Sequence, residues 1–294
     1  MRPIRTALFA PGSKERVMSK ALDSGADAVI FDLEDSVPIS AKSEARTMVA
    51  HAIEGAAAAG AGPLVTVRVN STATGFLKDD LGAVVRPGLE AIFLPKAETV
   101  EEIVAAAALL DGLEVSQQMR PGTVEIILMI ESALGVYSCF DMLKCSPRVT
   151  TSCIGSAQDG DLQTDLGCGW SIDGPELMYA KSKVLLDTRA AGKLYPLDGV
   201  FGNLNDEEGL IRDSQISARL GYVGRTVIHP KQIAPVRRAY AVPTDQVAYY
   251  TRVVHEFEAA EKTGTAAITV DGKLVDYAMY QRAKRVLEIA KLDA

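Results

Sequence analysis

The side chains of this 294-residue chain that could do chemistry sit at the ends of short apolar runs. One run, Ala28–Leu33, ends in Asp32-Leu33-Glu34-Asp35, and the next, Leu64–Val69, in Arg68-Val69-Asn70. Ala91–Leu94 leads into Pro95-Lys96, Val124–Ile130 into Glu131-Ser132, and Val149–Ile154 into a loop carrying Asp159 and Asp161. Carboxylates with no cysteine or histidine among them suit a hard, oxygen-seeking cation: Mg²⁺, with Mn²⁺ as the alternative. Glu131 and one aspartate of the 159–161 pair would be direct ligands, and Glu34 and Asp35 would hold metal-bound waters. The competing reading has Glu34, Asp35 and Glu131 pair with Arg68 and Lys96 and merely brace the fold. Lys96 could instead form a Schiff base, but carboxylates around it should keep its ammonium protonated.

These residues converge only if the runs are strands of one sheet whose carboxyl ends share a mouth. Eight runs qualify: Ile4–Phe9, Ala28–Leu33, Leu64–Val69, Ala91–Leu94, Val124–Ile130, Val149–Ile154, Leu197–Phe201 and Arg225–Ile228. Most are continuously apolar, as in parallel strands covered on both faces. Helical patterns lie between them. Ser13 is placed to cap the first, with Gly25 stopping it, and Ala41–Ala59 forms another. Thr99 and Glu102 form a capping box before a further helical stripe, Val100, Ile103, Val104, Ala107 and Leu110, which is followed by Gly112. Eight such units in about 250 residues predict a (β/α)₈ TIM barrel, with active-site residues at the carboxyl ends of the strands. A doubly wound sheet is disfavoured: Gly167-Cys168-Gly169 lacks the third glycine of a dinucleotide fingerprint, and there is no P-loop. The predicted division is a catalytic barrel over residues 1–263 and a lid or oligomerisation extension over 264–294. That extension holds a β-like piece (Ala267–Val270), the turn Asp271-Gly272 and a helix from about Asp276 to Ala290.

Composition narrows the function. With 31 Lys+Arg against 38 Asp+Glu, the net charge of −7 disfavours nucleic acid and anionic membrane as partners. No apolar run approaches the roughly 20 residues of a membrane span, and the N-terminal stretch lacks signal-peptide features, so the expected location is the cytoplasm. Cys139, Cys145, Cys153 and Cys168 form no C-x-x-C pair and read as reduced thiols. Asp159, Asp161 and Asp165 are not a calcium loop, because Thr164 and Trp170 occupy the glycine and glutamate positions. His229, before Pro230, reads as a structural hydrogen-bonding residue, and Cys168 as an inert thiol.

The segments LFAPGSKERVMSKALDSGADAVIFDLEDSV, VRVN, FLPKAE, ILMIESALGV, GDLQTDLG and GYVGRTVIHPKQI occur in order. Together they resemble the citrate lyase beta-subunit-like branch of the HpcH/HpaI aldolase family, over nearly the whole chain. The resemblance implies a TIM barrel, Mg²⁺ dependence, homo-oligomers (trimers or hexamers) and C–C bond chemistry on acyl-CoA thioesters. By motif, Glu131 and Asp161 match metal ligands, Asp161 being preferred to Asp159 for its spacing to Gly167. Arg68 matches the arginine that binds substrate oxygens, and Asp276 a lid aspartate acting in a neighbouring subunit's site. Lys96, Glu34 and Asp35 match residues around the metal waters. The chain departs from the pattern in having Ala157-Gln158-Asp159-Gly160 ahead of Asp161, where the family more often has Gly-Ala-Glu.

The resemblance implies a carbon–carbon lyase that splits malyl-CoA, citramalyl-CoA or a citryl thioester into acetyl-CoA and a 2-oxo acid, with or without thioesterase activity. The alternatives are a citrate lyase beta subunit acting on an acyl carrier protein and a metal-dependent aldolase of free 2-oxo acids. Leu33-Glu34-Asp35-Ser36-Val37 lacks the histidine base of the pyruvate-aldolase branch, which disfavours the aldolase. A barrel without catalysis would have no reason to keep these carboxylates together. For CoA phosphates, Arg5, Lys14, Arg16 and Lys42 lie near the inferred mouth but are unassigned.

Overall fold

The computed structural model describes residues 3–291, which fall into two compact units: residues up to Ala239, and residues from Tyr240 onward. In the first unit, eight parallel strands close into a barrel in simple sequence order. They are β1 Thr6–Pro11, β2 Ala28–Asp32, β3 Leu64–Arg68, β4 Ala91–Leu94, β5 Glu125–Ile130, β6 Val149–Ile154, β7 Leu197–Asp198 and β8 Gly224–Val227. Between them run α1 Glu15–Leu22, α2 Lys42–Ala59, α3 Leu77–Val84, α4 Val100–Ser116, α5 Ala133–Lys144, α6 Asp161–Leu166, α7 Pro175–Ala190 and α8 Glu207–Leu220, with α9 Ile233–Tyr240 after β8. β8 pairs with β1, so the sheet leaves no edge.

The apolar runs form strands because both of their faces are covered; every residue of β2 is buried. One set of faces fills the barrel with Ala7, Ala28, Ile30, Leu64, Ala91, Phe93, Ile127, Met129, Cys153 and Leu197, against which Phe9 packs. The other set meets the helices, as Val29, Phe31, Val65, Val67 and Ile92 do.

Three local expectations are corrected. Ser13 does not cap α1: the main chain turns there, with the Lys14 N–H donating to Pro11 O at 3.0 Å, and the helix starts at Glu15 without a side-chain cap. β7 stops at Asp198 rather than Phe201. The Gly199 N–H is taken by the Asp198 carboxylate (2.9 Å) and by Ser156 Oγ (3.3 Å) instead of a strand partner. α4 opens with the full Thr99–Glu102 capping box but runs through Gly112.

In the second unit, β9 Ile268–Val270 and β10 Lys273–Val275 form an antiparallel hairpin, followed by α11 Tyr277–Ala290. Its turn residues Asp271 and Gly272 both have positive φ (49° and 75°), the twist a two-residue hairpin favours. The preceding helix α10 Thr244–Glu261 shares a core with this tail. Val253 and Phe257 pack with Val270, Val275, Tyr280 and Ala283, and Phe257 stacks on Tyr280 at 4.8 Å. The second compact unit thus begins at Tyr240 and takes in α10 together with the 264–294 extension.

Candidate active site

Strand parity brings the candidate residues together. On β2, Ala28 and Ile30 face the barrel interior, so Asp32 is the next residue on that face; on β5, Ile127 and Met129 lead to Glu131; on β3, Leu64 leads to Arg68. Asp32 and Arg68 are also directly paired in the β2–β3 register. Asp32 takes Arg68 by both oxygens: Nε reaches Oδ1 and Nη2 reaches Oδ2, each at 2.7 Å. Arg68 Nη1 lies 3.1 Å from Glu34 Oε2 and 3.6 Å from Asp35 Oδ2, and the guanidinium sits over the Phe9 ring at 4.9 Å.

Lys96 is the second cation. Its Nζ lies 3.1 Å from Glu34 Oε1, 3.5 Å from Asp35 Oδ1 and 3.6 Å from Asp161 Oδ2. Its main chain is in the left-handed region (φ 52°), strain that is kept where surroundings demand it. There its N–H donates to Glu131 Oε2 at 3.1 Å. Lys96 thus ties three strand ends and the start of α6 together.

The mouth is short of positive charge. Asp32, Glu34, Asp35, Glu131 and Asp161 face two cations, Arg68 and Lys96. Burial pushes the Glu131 carboxyl up to about 7, helped by Glu34 and Asp161 and opposed by Arg68. Glu34 is raised by burial too, with Asp35 adding to it and Arg68 and Lys96 opposing. Its buried Oε2 accepts no hydrogen bond and meets only the Arg68 guanidinium, as an ion pair. Asp32 differs: burial works against its charge, but the Arg68 hydrogen bonds win and hold it below the usual carboxylate range. Lys96 is raised despite burial because Glu34, Asp35 and Asp161 surround it, which argues against a neutral Schiff-base lysine. Gly155 leaves room for Glu131: a Cβ there would lie 2.7 Å from Glu131 Cγ.

Two buried donors fix the loop after β2 from behind. Lys42 Nζ donates to Leu33 O (2.8 Å) and Glu34 O (3.0 Å), and Asn70 Nδ2 to Leu33 O (2.9 Å). Lys42 is therefore engaged within the protein rather than free for a phosphate. Arg5 is likewise buried, at the amino end of β1 and away from the mouth, donating to Val223 O at 3.0 Å. His229 accepts from the Lys231 N–H at 3.1 Å, the structural role its sequence suggests. Asp159 is exposed in a left-handed turn, whereas Asp161 faces Lys96. In the second unit, Asp276 caps α11 through Met279 N at 3.1 Å. Asp32 had no role assigned from sequence; the inward parity of Ala28 and Ile30 was the signal that marks it.

A surplus of carboxylate over positive charge, three of its members buried, and an excess of hard oxygen donors fit a divalent cation. Among the described residues no group of three or more His, Cys, Asp or Glu could hold a metal ion by itself. A cation at this mouth would therefore draw further ligands from water and substrate, the habit of Mg²⁺.

A closed parallel barrel with an acid-rich site at the carboxyl ends of its strands defines a TIM-barrel protein of the type that binds ligands at that face. The profile of the HpcH/HpaI aldolase/citrate lyase family matches residues 5–230, and the chain belongs to that family. It is 36% identical to the citrate lyase subunit beta of Leuconostoc mesenteroides subsp. cremoris, over 97% of this chain and 93% of the relative. It is 31% identical to a (3S)-malyl-CoA thioesterase of Cereibacter sphaeroides, over 98% and 95%. Among solved structures, it resembles protein CitE from Mycobacterium tuberculosis in complex with magnesium, acetoacetate and coenzyme A. That match has a TM-score of 0.73, 27% identity and 98% coverage of both chains. No helix among the described residues is long and apolar enough to cross a membrane.

Proposed function

We propose that this chain is a Mg²⁺-dependent carbon–carbon lyase that cleaves a short 3-hydroxyacyl-CoA thioester, of malyl, citramalyl or citryl type, to acetyl-CoA and a 2-oxo acid. The observation that carries the reading is the surplus of buried carboxylate around one rigidly held arginine. The magnesium and acyl ligands of the Mycobacterium tuberculosis structure, and the thioester named for the Cereibacter sphaeroides relative, supply the ligand class.

Glu131 and Asp161 would hold the cation, with Glu34 and Asp35 holding its waters. Bound there, it would supply Lewis-acid polarisation of the oxygens of a chelating 2-oxo or 3-hydroxy acid. In the cleavage direction the 3-hydroxyl loses its proton, the C2–C3 bond breaks, and its electron pair passes to the thioester carbonyl as an enolate. Arg68 is the fixed positive partner for that oxygen: it is always charged, and Asp32 and the Phe9 ring set its plane before substrate arrives. Lys96 keeps Glu34 and Asp35 oriented toward the mouth.

Asp276 would deliver or remove a proton at the enolate carbon, or activate a water for thioester hydrolysis, from the lid of a neighbouring subunit in a cytoplasmic homo-oligomer (trimer or hexamer). That role would compete with its hold on the α11 N-terminus.

The test is a release assay with malyl-CoA, citramalyl-CoA and citryl-CoA, with Mg²⁺ or with EDTA, following 2-oxo acid and free thiol together. Metal-dependent 2-oxo acid supports the lyase, and additional thiol adds thioesterase activity. Silence with every free CoA ester would refute it. A second reading, a subunit that works on a carrier-protein-bound citryl thioester, is favoured by the 36% identity to a citrate lyase subunit beta. Turnover with an acyl carrier thioester alone would select it.

A further inference from the structure

The segment Asp161–Gly167 holds more than one aspartate, and the second has no part in the chemistry above. Asp161 and Asp165 lie four residues apart in α6 and so on the same face of one short helix. Several residues of the segment have separate attachments. Asp161 faces Lys96, Leu162 is fully buried, and Gly167 ends the helix with a left-handed φ of 62°. Gln163 closes the loops on both sides, accepting from Asp159 N (2.6 Å) and donating to Cys168 O (3.0 Å). Asp165 reaches outside the segment: its Oδ2 accepts from the Ala133 N–H at 2.6 Å.

Ala133 is the first residue of α5 and stands two residues after Glu131. Its N–H is among those a helix start leaves without an internal partner, and it lies at the positive end of the α5 dipole, where a carboxylate binds best. The local cap is separate: Ser132 Oγ accepts from Gly135 N at 3.0 Å. Asp165 is thus a tertiary cap joining the segment that carries Asp161 to the segment that carries Glu131.

We propose that Asp165 is a positioning residue that sets the separation of the Glu131 and Asp161 carboxylates by tethering α6 to the α5 N-terminus, without touching cation or substrate itself. The proposal rests on the reading of those two residues as the cation's ligands. Without the tether, the six-residue α6 would be held by Leu162, by the half-exposed Asp161–Lys96 ion pair and by Gln163, which braces the loop against itself. The Asp161 carboxylate, about half exposed, would then sample more positions.

The test uses full-length Asp165→Ala and Asp165→Asn proteins with Mg²⁺ alone as the probe. Asparagine keeps an oxygen that can accept from Ala133 N; alanine does not. Calorimetric Mg²⁺ affinity should fall about 10-fold or more in the alanine protein, the usual size of an outer-shell loss, and be largely recovered in the asparagine protein. In metal-free protein, amide exchange should rise in peptides covering residues 131–137 and 157–168 for alanine only, with thermal stability nearly unchanged. Wild-type affinity in the alanine protein overturns the tether. An asparagine protein as weak as the alanine one would mean that the charge, or direct ligation, is what matters, and also overturns it. If the wild-type chain binds no Mg²⁺, the cation reading falls and takes this role with it, an outcome distinct from wild-type binding that Asp165→Ala leaves intact.

Discussion

Two charge clusters lie in the same barrel, one at the carboxyl ends of its early strands and one beside β7 and β8, and they are built to opposite plans. At β7 and β8, Asp198 accepts from Lys181 Nζ (3.0 Å) and Ser156 Oγ (2.6 Å). Arg225 reaches Asp213 at 2.7 Å, and Lys181 lies 3.5 Å from the same carboxylate. Two acids meet two bases, and burial notwithstanding, Lys181 and Arg225 hold the Asp198 carboxyl low. At β2 to β6, five carboxylates face two cations, and counting Lys42 behind the loop still leaves acid in excess. Closed, neutral clusters brace a fold. An open, unbalanced one is tolerated where something positive is to be bound. The imbalance favours reading the mouth as a site rather than as bracing ion pairs, a choice that residue types alone leave open.

The contrast can be broken by making one substitution, buried carboxylate to amide, at both places. Asp198→Asn leaves Lys181 and Arg225 sharing Asp213, and should destabilise the protein by about 3–5 kcal/mol in chemical denaturation. Unchanged stability would mean that the β7–β8 cluster is not the brace described. Arg68→Lys keeps the charge but loses the fork that Asp32 grips, and should lower kcat about 10²–10³-fold with folding intact. A rate near wild type would remove Arg68 from the reaction. Glu131→Gln should abolish Mg²⁺ binding in calorimetry. In EDTA at pH 8 it should stabilise the chain by about 1–3 kcal/mol, because it removes a charge that burial and Glu34 disfavour. A destabilised Glu131→Gln protein would place Glu131 among the bracing residues instead.

The barrel was legible because continuous apolar runs and helical stripes each follow from burial, and eight of them leave few alternatives. Glu34, Asp35, Arg68, Lys96 and Glu131, which the structure brings to one mouth, were legible as candidates because a charged residue at the end of an apolar run stands out. Asp32 was hidden among them: only the parity that sends Ala28 and Ile30 inward shows it as Arg68's partner. The β7–β8 cluster was missed for a different reason. Lys181 and Asp213 lie within α7 and α8, where charged residues ordinarily face solvent, and no local pattern marks the two that turn toward the sheet. The end of β7 and the start of α1 were misplaced because main-chain donors there are taken by Asp198, Ser156 and Pro11.

The smallest expected effect, a dependence on pH, sharpens the comparison most. The Glu131 carboxyl is raised from 4.5 to about 7 in the folded protein, so between those values the folded chain holds a proton that the unfolded chain has lost. Stability of the metal-free protein should therefore fall as pH rises from 4.5 through 7, by at most about 1.4 kcal/mol per unit. Asp198 is shifted the other way, from 3.8 to about 2, so its contribution is complete above pH 4 and lost only as pH falls toward 2. From pH 5 to 8 the bracing cluster is thus silent while the mouth titrates. Denaturant unfolding in EDTA at pH 5.5 and 7.5 should show wild type losing stability relative to Glu131→Gln, and saturating Mg²⁺ should remove that loss by binding the ionised form. Over the same interval, Mg²⁺ affinity should drop up to about tenfold per unit below pH 7, since proton and cation compete for one carboxylate. If wild type and Glu131→Gln lose stability in parallel, the Glu131 proton does not belong to the mouth, and the imbalance that distinguishes the two clusters is absorbed elsewhere.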